Sequence, residues 1–188
     1  MNELKNIVFS KNTIEFVTVA VQYCEYIENF PEKTAVELSD KLTKFLPLLY
    51  LKVSLLPKTQ LIDEFGQEIT VTEEDYNYIL SKLSDAFGKD DVYLEVFLED
   101  MKYSETPISA NISEDLSDIY QDVKNFVSIF EKGIEENMND ALYICMETFS
   151  SYWGQKLVNV LRALHSLKYS VVDEYGDDED SYNEEEKW

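Results

Sequence analysis

Apolar residues recur every three or four positions along most of the chain, a spacing that places them on one face of an α-helix. The first such segment is predicted to begin at Asn12 and to end before Pro31. The apolar residues of this segment are distributed around nearly the whole circumference of the predicted helix. We therefore expect it to lie at the centre of the fold.

A second helix is predicted to begin at Thr34, where Glu37 completes a capping box, and to end at Pro57. Pro47 lies inside this helix. Proline lacks a backbone N–H and its ring clashes with the preceding turn. A kink or a break is therefore expected near Pro47.

The middle of the chain mixes a clear helix with irregular segments. Lys58–Val71 reads as a connecting loop, and Thr72 caps a helix that Gly88 closes. The stretch 91–101 alternates apolar and polar residues like a β-strand, but no second strand is evident for it to pair with. We predict an extended loop or a short helix there, followed by a polar linker over 102–112.

The last third of the chain carries the clearest helical periodicity. Ser113 opens a helix that ends before Gly133, with apolar residues at steps of three and four. A second apolar stripe runs from Met138 to Leu167. This stripe predicts either one long helix or two helices hinged at Gly154.

The composition changes abruptly after Val172, because nine acidic residues then accompany a single lysine. Self-repulsion and the lack of aliphatic residues predict a disordered acidic tail over 173–188. Only five glycines and four prolines in 188 residues leave few turn signals for an all-β fold. The prediction is an all-α, single-domain bundle of about five to six helices over residues 1–172.

Acidic side chains dominate the charge, with 38 acidic against 16 basic residues and a formal net charge of −22. This charge repels phosphate and anionic lipid, so we expect neither nucleic acid nor a membrane as a partner, whereas a basic partner is accommodated. Cys24 and Cys145 lie within helical apolar patterns, as buried free thiols do in a reducing compartment. We expect a cytoplasmic protein.

Two segments are similar to motifs of a known family. They are Ser113-Glu114-Asp115-Leu116-Ser117-Asp118-Ile119-Tyr120-Gln121-Asp122, and Tyr152-Trp153-Gly154 followed by Leu161-Arg162-Ala163-Leu164-His165. They resemble the recurring motifs of an uncharacterised bacterial family known only as a domain of unknown function, and the similarity spans most of the range 12–169. Phe97-Leu98-Glu99 stands where a Phe-Asp-Pro is more usual. The resemblance implies an all-helical fold and supplies no activity.

Three acids of the first motif, Asp115, Asp118 and Asp122, are spaced so that their carboxylates lie on one side of a helix. One interpretation is that these three clustered acids bind Mg²⁺, Ca²⁺ or a cationic ligand. The alternative, which we favour, is a solvated face whose first acids stabilise the helix N-terminus. We predict no metal and no cofactor.

A candidate cleft is predicted between the last two long helices, lined by Asp118, Asp122, Trp153, Arg162 and His165. Arg162 is expected to pair with Asp118 or Asp122, because its own helix offers it no acid within reach. His165 is the single histidine, which excludes a His-rich metal site. It is either a lone general base or a satisfied or partly exposed histidine.

The function expected first is that of a protein–protein interaction module with an acidic surface and tail, whose unknown partner is a basic protein. Tyr175, Tyr182 and Trp188 offer apolar anchors between the charges of the tail. An enzyme or small-ligand binder using the candidate cleft is a second hypothesis. A homodimer formed through helix faces left apolar, such as Val158 beside Gly154, is a third.

Overall fold

The computed structural model describes residues 2–62, 69–95 and 108–170. Within these ranges lie seven α-helices: α1 Asn2–Val8, α2 Lys11–Asn29, α3 Ala35–Ser54, α4 Glu73–Phe87, α5 Ile112–Phe130, α6 Glu135–Thr148 and α7 Gly154–Ser170. The predicted all-α, single-domain architecture is confirmed. The predicted tail, with Tyr175, Tyr182 and Trp188, lies outside the described residues.

Hydrogen bonds at the helix starts confirm two predicted N-caps. The Thr34 hydroxyl oxygen accepts from the Glu37 backbone N–H at 3.3 Å, and the Thr72 hydroxyl oxygen accepts from the Asp75 N–H at 3.1 Å. The Asp75 carboxylate accepts in return from the Thr72 N–H at 3.1 Å. Each cap satisfies backbone donors that have no partner inside the helix.

The N-terminal helix α1 was not predicted, and the residue that caps α2 lies two positions before the predicted cap, Asn12. Ser10 caps α2, its hydroxyl oxygen accepting from the Thr13 N–H at 3.2 Å. Asn12, the predicted cap, instead donates from its side chain to the Leu55 carbonyl at 2.8 Å. This bond joins the beginning of α2 to the end of α3.

The helix α3 continues through Pro47 from Ala35 to Ser54 and is not broken there. Leu46 and Leu49, on either side of the proline, are fully buried. Packing on both sides therefore offsets the hydrogen bond that the proline removes.

The helices α6 and α7 follow one another without a loop. A π-helical turn over Phe149–Trp153 joins them, and the N–H of Gly154 donates to the Phe149 carbonyl. Of the two predicted alternatives, the structure has the single long helix, with its irregular turn immediately before Gly154. Such turns appear mostly as single insertions inside α-helices.

Part of the segment 91–101, predicted as an extended loop or short helix, is a β-strand, which corrects the prediction there; residues 96–101 lie outside the described residues. β1 Val92–Leu94 pairs antiparallel with β2 Ser109–Asn111, which lies in the segment predicted as a polar linker. Asp91 also connects β1 to α5, because its carboxylate accepts from the Ser113 N–H at 2.8 Å and from the Ser113 hydroxyl at 2.7 Å. β2 is followed directly by the first residue of α5.

The central helix is α5, not the first long helix as predicted. It packs against α2, α4, α6 and α7, whereas α2 packs mainly against α3 and α5. Nearly every apolar residue of α5 is buried, from Ile112 to Phe130. The polar residues of the last two helices therefore pack against α5.

Across the described ranges, no helix combines the length and the apolar character that crossing a bilayer requires. The predicted connection after α3 is non-helical in its described parts, 58–62 and 69–71.

Candidate functional site

A row of polar side chains lies between α5 and the long helix formed by α6 and α7, and we call it the polar seam. Its members are Tyr76 of α4, Tyr93 of β1, Asp115 and Asp118 of α5, Tyr152 of the π-helical turn and Lys156 of α7. Side chains from α4, β1, the π-helical turn and α7 thus form hydrogen bonds to the two carboxylates of α5.

Asp115 is the most deeply buried acid of the seam, with a side chain 3 % exposed. Lys156 donates to one of its carboxylate oxygens at 2.8 Å, and the Tyr93 hydroxyl donates to the other. A carboxylate taken out of water is stabilised when both of its oxygens accept hydrogen bonds, one of them from a cation.

Asp118 lies one turn further along α5 and accepts from two phenols. The Tyr76 hydroxyl donates to it at 2.8 Å and the Tyr152 hydroxyl at 2.7 Å. Lys156 also reaches Asp118, at 2.9 Å. One lysine therefore serves both acids, and the two negative charges are stabilised by one positive charge and three phenolic donors.

Proton affinities in the seam follow from this arrangement. Burial raises the pKa of Tyr93, and its hydrogen bond to Asp115 raises it further. Burial and the hydrogen bond to Asp118 raise the pKa of Tyr152 to about 12. Burial alone opposes the charged form of Lys156, but its hydrogen bonds to Asp115 and Asp118 outweigh this, so the pKa of Lys156 is raised. Tyr93, Tyr152 and Lys156 therefore keep their protons at neutral pH.

The acids of α5 are therefore not the solvated face that we favoured from the sequence. Asp115 is buried and Asp118 is largely covered by the last helix. Asp122, the third acid of α5 considered from the sequence, also faces this helix and lies beside Thr148. The seam residues that were not predicted as site residues are Tyr76, Tyr93, Tyr152 and Lys156, of which Tyr152 was named only as part of the second motif.

The five predicted cleft residues do not converge. Arg162 donates to the Leu94 carbonyl of β1 at 3.1 Å, so the prediction that it pairs with Asp118 or Asp122 is wrong. Lys156, six residues earlier and about 9 Å away along the helix, occupies that role. His165 is exposed and its ring packs against Tyr169 at a tilt of 52°, with centroids 4.7 Å apart.

Trp153 is fully buried and packs against Phe149, with ring centroids 4.7 Å apart. No acceptor among the described residues is within reach of its indole N–H. Gly154 is buried against Phe149, so its small size serves the π-helical turn rather than a helix of a second subunit. Val158 remains exposed, and the predicted homodimer remains a hypothesis.

Asp122 marks a second feature, a cavity of about 240 Å³ between α5 and α6. Burial raises the pKa of Asp122, the hydrogen bond from Thr148 opposes this rise, and the charge of Asp118 adds to it. Of the predicted cleft residues, this is the one that lines the cavity. Within the described residues, no group of three or more His, Cys, Asp or Glu side chains is placed to hold a metal ion.

The model of a protein family described as "Domain of unknown function (DUF5063)" matches residues 7–170. The chain belongs to the DUF5063 family. This match confirms the resemblance to an uncharacterised family. It covers every element from the end of α1 to the end of α7, and therefore both the polar seam and the cavity of this DUF5063 protein.

A solved structure is similar to this DUF5063 protein along most of its length. It is the crystal structure of protein BF1032 from Bacteroides fragilis, which is 46 % identical in sequence, with a TM-score of 0.78. The similarity covers 87 % of this chain and 96 % of that chain. None of the curated proteins matches the chain.

Proposed function

We propose that the protein is a binding module for a basic protein partner, which it recognises through an acidic face of α4. The observation that carries the proposal is an exposed tyrosine placed between acids on the side of α4 that points away from the core. Tyr78 is 65 % exposed, and Glu74 and Asp85 are also exposed.

Helical spacing places these three residues in one stripe. Glu74, Tyr78 and Asp85 lie within about 40° of one another around the helix, because their separations of four and seven residues nearly match whole turns. The buried residues Ile79 and Leu83 occupy the opposite side. The stripe is therefore a continuous outer face.

The only basic residue of α4 is withdrawn from this face. Lys82 donates to the Glu28 carbonyl of α2 at 2.7 Å, and its ammonium group lies 4.0 Å from the centre of the Phe30 ring. It thus interacts with the C-terminal carbonyls of α2, where a positive charge is favoured. Among the described residues, the acids on the outer face of α4 form no ion pair with a lysine or arginine.

The chemistry of this face fits a partner segment that carries lysine or arginine. Glu74 and Asp85 supply the charges, and the Tyr78 ring supplies a flat surface for a guanidinium group or an aliphatic stem. Tyrosine is also enriched in protein interfaces. The overall charge of −22 supports the same partner class, because it accelerates encounter with basic molecules.

The proposal includes residues 173–188 as a second binding element, on the ground of composition. The segment contains Tyr175, Tyr182 and Trp188 between nine acids. The free, buried thiols Cys24 and Cys145 are compatible with a reducing compartment, which supports a cytoplasmic partner.

The test is a quantitative pull-down from native bacterial lysate, with bound proteins identified by mass spectrometry. The chain with Glu74→Gln, Tyr78→Ser and Asp85→Asn is compared with the unchanged chain, and Glu136→Gln with Glu147→Gln provides exposed acids on α6 as a control for charge. We expect a basic protein whose capture falls about tenfold in the α4 variant, equivalent to about 1.4 kcal/mol, and is unchanged in the control.

A chain ending at Val172 separates the two binding elements. It keeps every described residue, so its thermal unfolding is expected to match that of the full chain. Capture that weakens on truncation and at high salt supports a role for 173–188. A partner that binds the α4 variant and the unchanged chain equally would refute the assignment of the face.

A further inference from the structure

The cavity between α5 and α6 has a polar end and an apolar end. Asp122 and Thr148 lie at the polar end, together with the amides of Gln121 and Asn125. The remaining lining comes from apolar side chains and a thiol: Ile69, Phe126, Ile129, Ala141, Ile144 and Cys145. A site of this kind, mostly apolar with a few polar groups that fix orientation, is typical of small-molecule binding.

Asp122 differs from Asp115 and Asp118, the two other acids on this side of α5, in the residues that it contacts. Lys156 neutralises both Asp115 and Asp118, whereas no lysine or arginine within the described residues forms an ion pair with Asp122. The α6 side chain beside it is the neutral Thr148, which lowers its pKa without supplying a charge. A half-buried carboxylate at the end of a cavity is therefore left with room for a cation.

The wall next to Asp122 is held in place before any ligand binds. The Asn125 side-chain oxygen accepts from the Thr70 N–H at 2.8 Å, from the Thr70 hydroxyl at 3.0 Å and from the Val71 N–H at 2.9 Å. These bonds attach the segment before α4 to the middle of α5. A preformed site loses less conformational entropy on binding than a mobile one.

We propose that this cavity binds a small organic cation, in which a primary ammonium group pairs with Asp122 and a ring or branched hydrocarbon fills the apolar end. This site goes beyond the proposed recognition of a basic protein, because it lies between α5 and α6 rather than on the outer face of α4. The two are testable separately.

The size of the cavity limits the ligand. An apolar cavity of about 150 Å³ binds benzene, so about 240 Å³ accommodates a phenyl ring with a two-carbon arm. Such an arm lets the ammonium group reach Asp122 while the ring lies against Phe126 and Ile144.

The test compares two probes that differ mainly in charge, 2-phenylethylamine and 2-phenylethanol, by titration calorimetry at neutral pH and physiological salt. We expect the amine to bind at least about tenfold more tightly than the alcohol, since a charge-assisted hydrogen bond is roughly twice as strong as a neutral one. Asp122→Asn should remove this preference and leave the weak binding of the alcohol.

Two further variants distinguish this site from general attraction of cations to an acidic protein. Glu147→Gln makes the same change of charge at an exposed position of α6 and should leave the affinity for the amine unchanged. Ala141→Leu fills the cavity floor and should weaken both probes. Urea unfolding of each variant shows whether the fold is retained.

Proton linkage gives an independent readout. Burial raises the pKa of Asp122, and a bound ammonium group lowers it again, so binding should release protons and weaken as the pH falls from neutral. The titratable groups facing Asp122 are Asp118 of α5, Cys145 of α6 and Tyr152 of the π-helical turn. Cys145 and Tyr152 have raised pKa values and stay protonated in this range.

The proposal fails if the amine shows no saturable binding, if amine and alcohol bind equally, or if Asp122→Asn and Glu147→Gln weaken the amine to the same extent. Amide chemical shifts measured by NMR locate the bound probe. Shifts confined to residues outside the lining of the cavity would also overturn it.

Discussion

Gly154 shows how one residue determines the geometry of the last third of the molecule. A Cβ atom built at this position would lie 2.4 Å from the Phe149 carbonyl oxygen and 2.9 Å from the Phe149 ring. The same carbonyl accepts the Gly154 N–H and closes the π-helical turn. Glycine is thus required here by close approach and not by an unusual backbone angle.

Replacing Gly154 by alanine should destabilise the protein, although the same change elsewhere in a helix usually stabilises it by up to about 1 kcal/mol. We expect a loss of about 1–3 kcal/mol, the usual cost of inserting a carbon into a packed region. Urea unfolding at equilibrium measures this change.

The neighbouring substitution Ser151→Ala is the control for Gly154→Ala. Ser151 is exposed in the same π-helical turn, and its hydroxyl donates to the Glu147 carbonyl at 2.8 Å. Its replacement should change the stability by less than about 0.5 kcal/mol. A Gly154→Ala variant as stable as the unchanged protein would show that the turn relaxes without cost.

The helix α5 runs antiparallel to the long helix of α6 and α7. Successive polar residues of one helix face successive polar residues of the other. Asp122, Asp118 and Asp115 meet in turn Thr148, Tyr152 and Lys156. A shift of one helix by a turn would separate all three pairs. Lys156 contributes most to fixing the relative position of the two helices, because it contacts two acids.

Removing the charge of Lys156 should be costly. In Lys156→Met, two largely covered carboxylates lose their cation, and breaking a buried pair in this way costs about 3–5 kcal/mol. The lysine side chain is 25 % exposed, so we expect the lower end, about 3 kcal/mol. Lys11→Met, at a side chain that is 86 % exposed, should cost less than about 0.5 kcal/mol.

Adding Asp115→Asn to Lys156→Met tests whether the loss comes from the charge. The uncharged pair should be more stable than the sum of the single changes predicts, with a coupling of at least about 1 kcal/mol in a double-mutant cycle. Strict additivity would mean that Lys156 stabilises through packing of its aliphatic stem. Equilibrium unfolding in urea provides the four free energies.

The sequence predicted the elements whose signals are local. Thr34 and Thr72 begin helices because their capping bonds involve residues three positions away. β1 and β2 were missed because the paired positions lie fifteen to nineteen residues apart and the short second strand has no alternating pattern. Pairing over such a distance is not visible in a local window.

The candidate site was predicted only in part, for a related reason. Helical spacing places Asp115 and Asp122 on the border of the apolar stripe of α5 and Asp118 further toward solvent, and it does not determine which of these acids a neighbouring helix covers. The identity of the facing residue depends on the register of the two helices. A difference of six residues separates Lys156, which pairs with Asp118, from Arg162, which was expected to.

On the scale of the whole molecule, buried and acid-bound phenols link stability to alkaline pH. Desolvation raises the pKa of six tyrosines: Tyr23, Tyr26, Tyr76, Tyr93, Tyr120 and Tyr152. Three of them also donate to the carboxylates of the polar seam, and Tyr120 donates to Glu28. Their protonated forms are those that the fold accommodates.

Stability should therefore fall steeply above the ordinary phenol pKa of about 10. Below this pH both states hold these protons, and the contribution of the phenols is complete. As the pH rises further, the unfolded chain loses phenolic protons that the folded chain keeps, so it binds fewer protons and the free energy of unfolding decreases. Urea unfolding between about pH 9 and pH 11.5, followed together with phenolate absorbance, measures both effects.

Tyr93→Phe identifies the contribution of the polar seam to this alkaline transition. It removes one donor to Asp115 and one raised phenol, so the variant should be less stable at pH 8, yet its stability should fall less steeply above about pH 10, by at most about 1.4 kcal/mol per pH unit. The slope, rather than the stability at one pH, is the decisive quantity, because any lost contact lowers the stability. An unchanged slope would show that Tyr93 loses its proton equally easily in both states, and the hydrogen bond to Asp115 would then be too weak to connect β1 to the charge network of α5.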